Sequence, residues 1–166
     1  DSIVNTNIND QVIKLYSSSS CLIPNTDNSG YKMNVRYVNY YINNEGGYLD
    51  CDKNIITVNK YVELDTQLQL VSEKWFDLKF DDRLYIGIED VRIFYDVETT
   101  RPLFIGTGYH KNNYIGIVAG EYDYQSGGLN STEIVPNFNN ASCEKNWVYV
   151  DYNNTTHIIY EWFPLK

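Results

Sequence analysis

The sequence has few basic residues and no long apolar run, and each shortage excludes a class of protein. Lys and Arg number 13 against 22 Asp and Glu, which gives a formal net charge of -9. Binding to nucleic acid needs clustered Lys and Arg that contact phosphates, so we predict no nucleic-acid partner. No apolar stretch approaches the roughly 20 residues of a membrane-crossing helix, so we also predict no membrane span.

Cysteine is also scarce. Cys21, Cys51 and Cys143 are an odd number and too few for a disulfide scaffold. One disulfide with one thiol and three reduced thiols are both compatible with this count. The segment 50–54 begins like a calcium loop but lacks the glycine required at the sixth position and the glutamate required at the twelfth. We predict no metal site and no cofactor.

Aromatic side chains, in contrast, are abundant. They make up 15% of the chain, with 16 Tyr and 3 Trp, and Asn is also heavily used. Such a composition suits a glycan-binding surface, on which rings stack against sugar faces and amides bond to hydroxyl groups. An AT-rich genome, whose codons favour Asn, Ile, Tyr and Lys, explains it equally well.

The pattern of apolar residues predicts an all-β chain. No sustained helical spacing occurs, and β-branched and aromatic residues dominate the apolar set. Short strand-like runs recur between clusters of Asn, Gly and Asp that are typical of turns. The first four major runs are 11–16, 32–42, 55–62 and 67–75, and the next four are 91–97, 102–109, 114–122 and 132–135.

Four consecutive antiparallel strands, repeated, are typical of the blades of a β-propeller. On this interpretation, residues 1–166 form one domain with blade-like units at about 10–77, 90–137 and 144–166, and the last unit has only two strands. About two and a half blades would be a fragment of a five-bladed propeller, or an open stack of sheets. The remaining blades or a second domain of a longer chain would then be partners. A β-sandwich is the competing architecture.

An acidic residue stands at the start of each predicted inner strand. These residues are Asp10, Asp90 and Glu144. Inner strands of a propeller line its central channel, so the three carboxylates would converge there. Cleavage of a glycosidic bond uses one carboxyl group as acid and another as base or nucleophile. The three residues are therefore the predicted catalytic set.

Two motifs resemble a known superfamily. The segment Ile88-Glu89-Asp90-Val91-Arg92-Ile93 resembles the Glu-Asp-Pro-Arg-Ile segment of the five-bladed propeller glycosidases and mannoside phosphorylases (glycoside hydrolase families 130, 43 and 32). The segment Cys143-Glu144-Lys145-Asn146-Trp147 is similar to a later Glu-containing motif of that superfamily. The resemblance implies that Glu144 is the general acid and that Arg92 binds substrate hydroxyls or phosphate. It implies that Asp90 stabilises the transition state or tunes a pKa, or donates the proton in the phosphorylase variant.

Further substrate-binding candidates are Arg36, Asn39, Asn146 and Trp147. The segment 32–40 resembles the second strand of the first blade in the same propellers, which would let Arg36 and Asn39 reach the cleft. A solvated strand face is the alternative for those two residues. Asn146 and Trp147 are candidates because they follow Glu144 closely.

The sequence therefore leaves two hypotheses about function. One is a carbohydrate-active protein that is glycoside hydrolase-like, phosphorylase-like or glycosyl-transferring and acts on a glycan or oligosaccharide through cleft carboxylates. The other is a non-catalytic glycan-binding or structural β module. Two local expectations are that the tract Ser17–Ser20 is a loop and that His110 lies at the surface.

Overall fold

A computed structural model describes residues 3–8, 11–51, 53–78, 84–137 and 143–166. Within these ranges the chain forms strands, isolated bridges and turns, and no helix. The all-β prediction is therefore confirmed. In the same part of the chain, there is no helix long and apolar enough to cross a membrane.

The first half of the chain forms a curled antiparallel sheet. Its strands in chain order are β1 (Ile3–Ile8), β2 (Gln11–Pro24), β3 (Tyr31–Val38), β4 (Tyr41–Ile42), β5 (Tyr48–Leu49), β6 (Ile55–Leu64), β7 (Leu70–Trp75) and β8 (Tyr85–Ile86). The order in the main sheet is β1-β2-β3-β6-β7, β8 pairs in parallel with β6, and β4 with β5 forms a separate hairpin. Strands β2, β3, β6 and β7 overlap the predicted runs 11–16, 32–42, 55–62 and 67–75, but the second run ends as a strand at Val38.

Strand β2 is longer than the sequence predicts. The serine tract lies inside the strand, and the prediction of a loop there is wrong. Ser17 pairs with Tyr37 and Ser20 with Val35, so a β-bulge absorbs the extra residue between these pairs. The ladder continues on both sides of the bulge, which lets four exposed serines remain in a strand.

The second half contains a four-stranded meander and a hairpin. Its strands are β9 (Glu89–Tyr95), β10 (Pro102–Tyr109), β11 (Ile115–Glu121), β12 (Ser131–Ile134), β13 (Val148–Tyr152) and β14 (Thr155–Ile159). The strand order in the meander is β12-β11-β10-β9, and β13 pairs with β14 in the hairpin. These blade-like sheets are compatible with a partial propeller-like fold.

The two large sheets pack against each other through a shared core. The cluster between them consists of Tyr61, Phe76, Val91, Ile93, Phe104, Val118 and Tyr122. A second cluster, made of Ile105, Ile117, Ala119 and Trp147, reaches the C-terminal hairpin through partly buried residues of β13 and β14. Burying each large apolar side chain contributes about 1.5–3 kcal/mol relative to leaving it exposed, so these clusters hold the sheets together.

A chain of buried polar groups also crosses the interface between the sheets. The Tyr122 hydroxyl donates to Asn34 Oδ1 at 3.0 Å, and Asn34 Nδ2 donates to Asn59 Oδ1 at 2.8 Å. Asn59 Nδ2 in turn donates to the carbonyl of Ile88 at 2.8 Å. The chain fixes β3 and β6 relative to the start of β9, where the motif with two acidic residues lies.

Candidate functional site

A β-bulge shapes the start of β9. Glu89 pairs with Thr107 and Arg92 with Ile105, so two residues of β9 oppose Gly106 alone. Asp90 occupies the bulge with a φ of 51°, a left-handed conformation that Asp tolerates better than most residues. A Cβ atom at Gly106 would lie 2.8 Å from the carbonyl oxygen of Glu89, so the bulge requires glycine opposite it.

The carboxylate of Asp90 is held by a buried arginine. Arg36 Nη1 lies 2.9 Å from Asp90 Oδ1, and Arg36 Nη2 lies 3.2 Å from Glu89 Oε1. Arg36 also donates to the Tyr40 hydroxyl at 3.0 Å, and Ser19 donates to Asp90 Oδ1 at 3.0 Å. One buried guanidinium thus contacts two carboxylates and connects β3 to β9.

Glu144 and Trp147 lie in contact in the segment that precedes the C-terminal hairpin. Glu144 is 9% exposed and Trp147 is 5% exposed, and the Trp147 indole donates to Glu144 Oε2 at 3.2 Å. Arg92 donates to the Trp147 carbonyl at 3.1 Å and to Asn146 Oδ1 at 3.2 Å. Arg92 therefore fastens β9 to the segment that precedes β13.

The predicted site residues thus fall into two described groups, one around Asp90 with Arg36 and one around Glu144 with its two neighbours. Asn39 belongs to neither group. Its side chain bonds to the backbone of Asn54 and Ile56, where it continues the pairing of β3 with β6. Asp10 lies outside the described residues. The catalytic and substrate-binding roles of all these residues stay predictions.

Sequence reasoning missed a cleft between the two large sheets. The cleft has a volume of about 770 Å³ and lies between the β6–β8 region and strands β10 to β12. Thr57, Asn59, Tyr85 and Tyr109 form part of its wall. The other polar and charged lining residues are Asp77, Lys111, Ser126, Asn130, Ser131 and Glu133. The cleft therefore combines aromatic rings, amides, hydroxyls and both signs of charge.

Two contacts organise the walls of this cleft. The rings of Tyr85 and Tyr109 are tilted against each other, with centroids 5.9 Å apart and an interplanar angle of 34°. The backbone N–H of Lys111 donates to Glu133 Oε1 at 2.9 Å, which positions that carboxylate at the cleft. No local pattern predicts these placements, because the residues come from separate strands and turns.

A smaller cavity of about 20 Å³ adjoins the cleft. The two share wall residues Thr57, Tyr85 and Tyr109 and the backbone of Gly87 and Gly108. The small cavity is also lined by Glu89 and Lys145, whose charged groups lie 3.8 Å apart. The motif with two acidic residues therefore reaches the cleft region through Glu89.

His110 is fully buried, so the expectation of a surface histidine is wrong. Its Nε2 lies 2.9 Å from the carbonyl oxygen of Ile117, and its ring packs against Tyr114. A Cβ atom at residue 116 would lie 2.8 Å from His110 Cε1, so the ring occupies space that only Gly116 leaves. Gly116 in an otherwise apolar strand is the sequence signal that could have indicated this burial.

The described part of the chain contains no group of three or more His, Cys, Asp or Glu residues able to hold a metal ion. All three cysteines lie in that part, and no disulfide joins them. Comparisons with protein-family models, curated proteins and solved structures found no match to this chain.

Proposed function

We propose that the chain is a non-catalytic glycan-binding β module whose ligand lies in the cleft between the two large sheets. The observation that carries this proposal is the lining of the cleft. Its volume of about 770 Å³ falls in the range of small-ligand sites, about 300–1,000 Å³. Its tyrosine rings suit the apolar faces of sugars, and its amides, hydroxyls and carboxylates suit their hydroxyl groups.

The contacts of the predicted catalytic residues favour binding over cleavage. Asp90 is engaged by Arg36 and Ser19, and Glu144 is 9% exposed with its carboxylate bonded to an indole. A glycosidase needs two carboxyl groups that flank one sugar linkage, whereas neither Asp90 nor Glu144 lines the cleft between the sheets. The cleft, in contrast, offers several polar groups directly along its walls.

A glycan array followed by calorimetric titration tests the proposal. Tyr109→Ala should lower affinity about tenfold, because removing a stacked ring from a binding site costs on the order of 1.4 kcal/mol. Tyr152→Ala is the matched control, since Tyr152 is an exposed tyrosine on β13 that does not line the cleft. Absence of glycan binding, or equal affinity of the parent and Tyr109→Ala, would refute the proposal.

Glycosidic bond cleavage or transfer, as in the propeller glycosidases and phosphorylases, is the second candidate. The bulge favours it, because it places Asp90 at a strand entrance with a side chain 38% exposed next to the Arg36 guanidinium. If the parent protein cleaves a glycan that it binds and Asp90→Asn does not, this candidate replaces the first. Further blades or a second domain would then complete the site.

A further inference from the structure

The small cavity next to the cleft has room for one small group and no more. Its volume of about 20 Å³ slightly exceeds the roughly 10–15 Å³ that a single water molecule requires. It shares five wall residues with the cleft, so the two spaces lie side by side. A whole sugar ring cannot enter this space.

A buried hydroxyl group lacks a partner at this junction. Thr57 is 1% exposed and lines both the cleft and the small cavity. Its Oγ1 has no hydrogen-bond partner among the described residues. Buried hydroxyls in folded proteins are nearly always hydrogen-bonded, so an unpartnered one at a cavity points to a polar group that binds there.

Charged groups complete the small cavity. Glu89 supplies acceptor oxygens and Lys145 supplies donor hydrogens, and Arg36 holds the Glu89 carboxylate in place at 3.2 Å. A neutral hydroxyl can both donate to Glu89 and accept from Lys145 or Thr57. A charged substituent would be repelled by one member of the Glu89–Lys145 pair.

We propose that the small cavity is a subsite for the exocyclic hydroxymethyl group of a hexopyranose bound in the cleft. This inference rests on the proposed glycan binding. A hydroxymethyl group carries its hydroxyl on a rotatable carbon, so the hydroxyl oxygen, which is about the size of a water molecule, can enter the cavity and meet its polar groups. The site therefore distinguishes hexoses from pentoses, which have the same ring hydroxyls but lack this group.

The test uses three pairs of methyl glycosides that differ by the hydroxymethyl group alone. They are methyl β-D-glucoside with methyl β-D-xyloside, methyl α-D-galactoside with methyl β-L-arabinopyranoside, and methyl α-D-mannoside with methyl α-D-lyxoside. Affinity is measured from the NMR shifts of cleft residues on titration. We expect at least one hexoside to bind about tenfold more tightly than its pentoside.

Variants at Thr57 distinguish binding of the hydroxymethyl group in the small cavity from binding of the sugar ring in the cleft. Thr57→Val keeps the side-chain shape and removes the hydroxyl, so hexoside affinity should fall about fivefold to tenfold while pentoside affinity stays the same. Thr57→Ser keeps the hydroxyl and should retain the preference for the hexoside, and urea unfolding confirms that both variants are folded. A hexoside preference that Thr57→Val does not change would overturn the subsite.

The remaining outcomes are equally informative. Equal affinity for hexoside and pentoside in every pair, with shifts in cleft residues, overturns the subsite and leaves glycan binding intact. Absence of shifts in cleft residues with all six glycosides, together with absence of binding on the glycan array, overturns both proposals.

Discussion

The buried polar chain between the sheets gives the sharpest prediction about stability. In Asn34→Leu, a side chain of similar size replaces the amide that joins the Tyr122 hydroxyl to Asn59. Asn34 is 1% exposed, so water cannot replace the lost partners. The Tyr122 hydroxyl and Asn59 Oδ1 would each lose a hydrogen bond, and an unpaired buried polar group costs about 1–3 kcal/mol.

The expected loss in the free energy of unfolding is therefore about 2–5 kcal/mol. Tyr122→Phe removes only the hydroxyl and leaves one acceptor of Asn34 without its partner, which should cost about 1–2 kcal/mol. In the double variant the unpaired hydroxyl is gone, so the combined loss should be smaller than the sum by about 1 kcal/mol or more.

Urea denaturation of the parent, both single variants and the double variant measures this coupling. The midpoint and slope of each transition give the free energy of unfolding, and an unchanged slope shows that the transition stays comparable. A cost below about 0.5 kcal/mol for Asn34→Leu, or losses that simply add, would show that the polar chain does not join the sheets.

Three further predictions concern ionisation, sterics and the hairpin. Burial raises the pKa of the Tyr122 phenol, so above pH 10 the unfolded state binds fewer protons than the folded state, and the free energy of unfolding falls by up to about 1.4 kcal/mol per pH unit. Tyr122→Phe should reduce this pH dependence in urea titrations from pH 9 to 11. An equal pH dependence in the parent and the variant would contradict the raised pKa of Tyr122. Gly87→Ala should lower the free energy of unfolding by about 2 kcal/mol more than Gly46→Ala. Both glycines have positive φ, but of the two only Gly87 lies where a Cβ would collide with a carbonyl oxygen, that of Thr57. Equal losses would show that the contact between Gly87 and the Thr57 carbonyl is unimportant. Arg92→Met should increase hydrogen exchange in β13 and β14 and leave exchange in β6 unchanged, since it removes the bonds that fasten β9 to the hairpin; unchanged exchange in the hairpin would contradict that role.

The fold was predictable where local patterns decide it. Short runs rich in β-branched and aromatic residues, bounded by turn residues, predicted the runs 91–97, 102–109, 114–122 and 132–135, and the structure has four strands there. Ser17–Ser20 misled the prediction because serine favours turns, whereas a bulge in β2 keeps the tract in the ladder. There, pairing with β3 overrides local preference.

The cleft was not predictable from the sequence because distant segments form it. Asp77 follows β7 and Glu133 lies in β12, and nothing in the sequence around either residue indicates that both line the same cleft. The burial of His110 depends in the same way on the space above Gly116 in a neighbouring strand. The motif around Asp90, in contrast, was visible because its charges and apolar residues are adjacent in the chain.

The motif has a structural role that affects how its variants must be interpreted. Arg36 contacts both Asp90 and Glu89, and Glu89 lines the small cavity. In Asp90→Asn, the guanidinium loses one charged partner and can move toward Glu89, which would change the cavity without any catalytic role for Asp90. Lost turnover in Asp90→Asn therefore identifies a catalytic carboxylate only under two conditions. Ser19→Ala, which removes a neutral contact to the same oxygen, must keep turnover, and glycan affinity must be unchanged in both variants. If affinity falls in Asp90→Asn, the ion pair acts through Glu89 and the shape of the site.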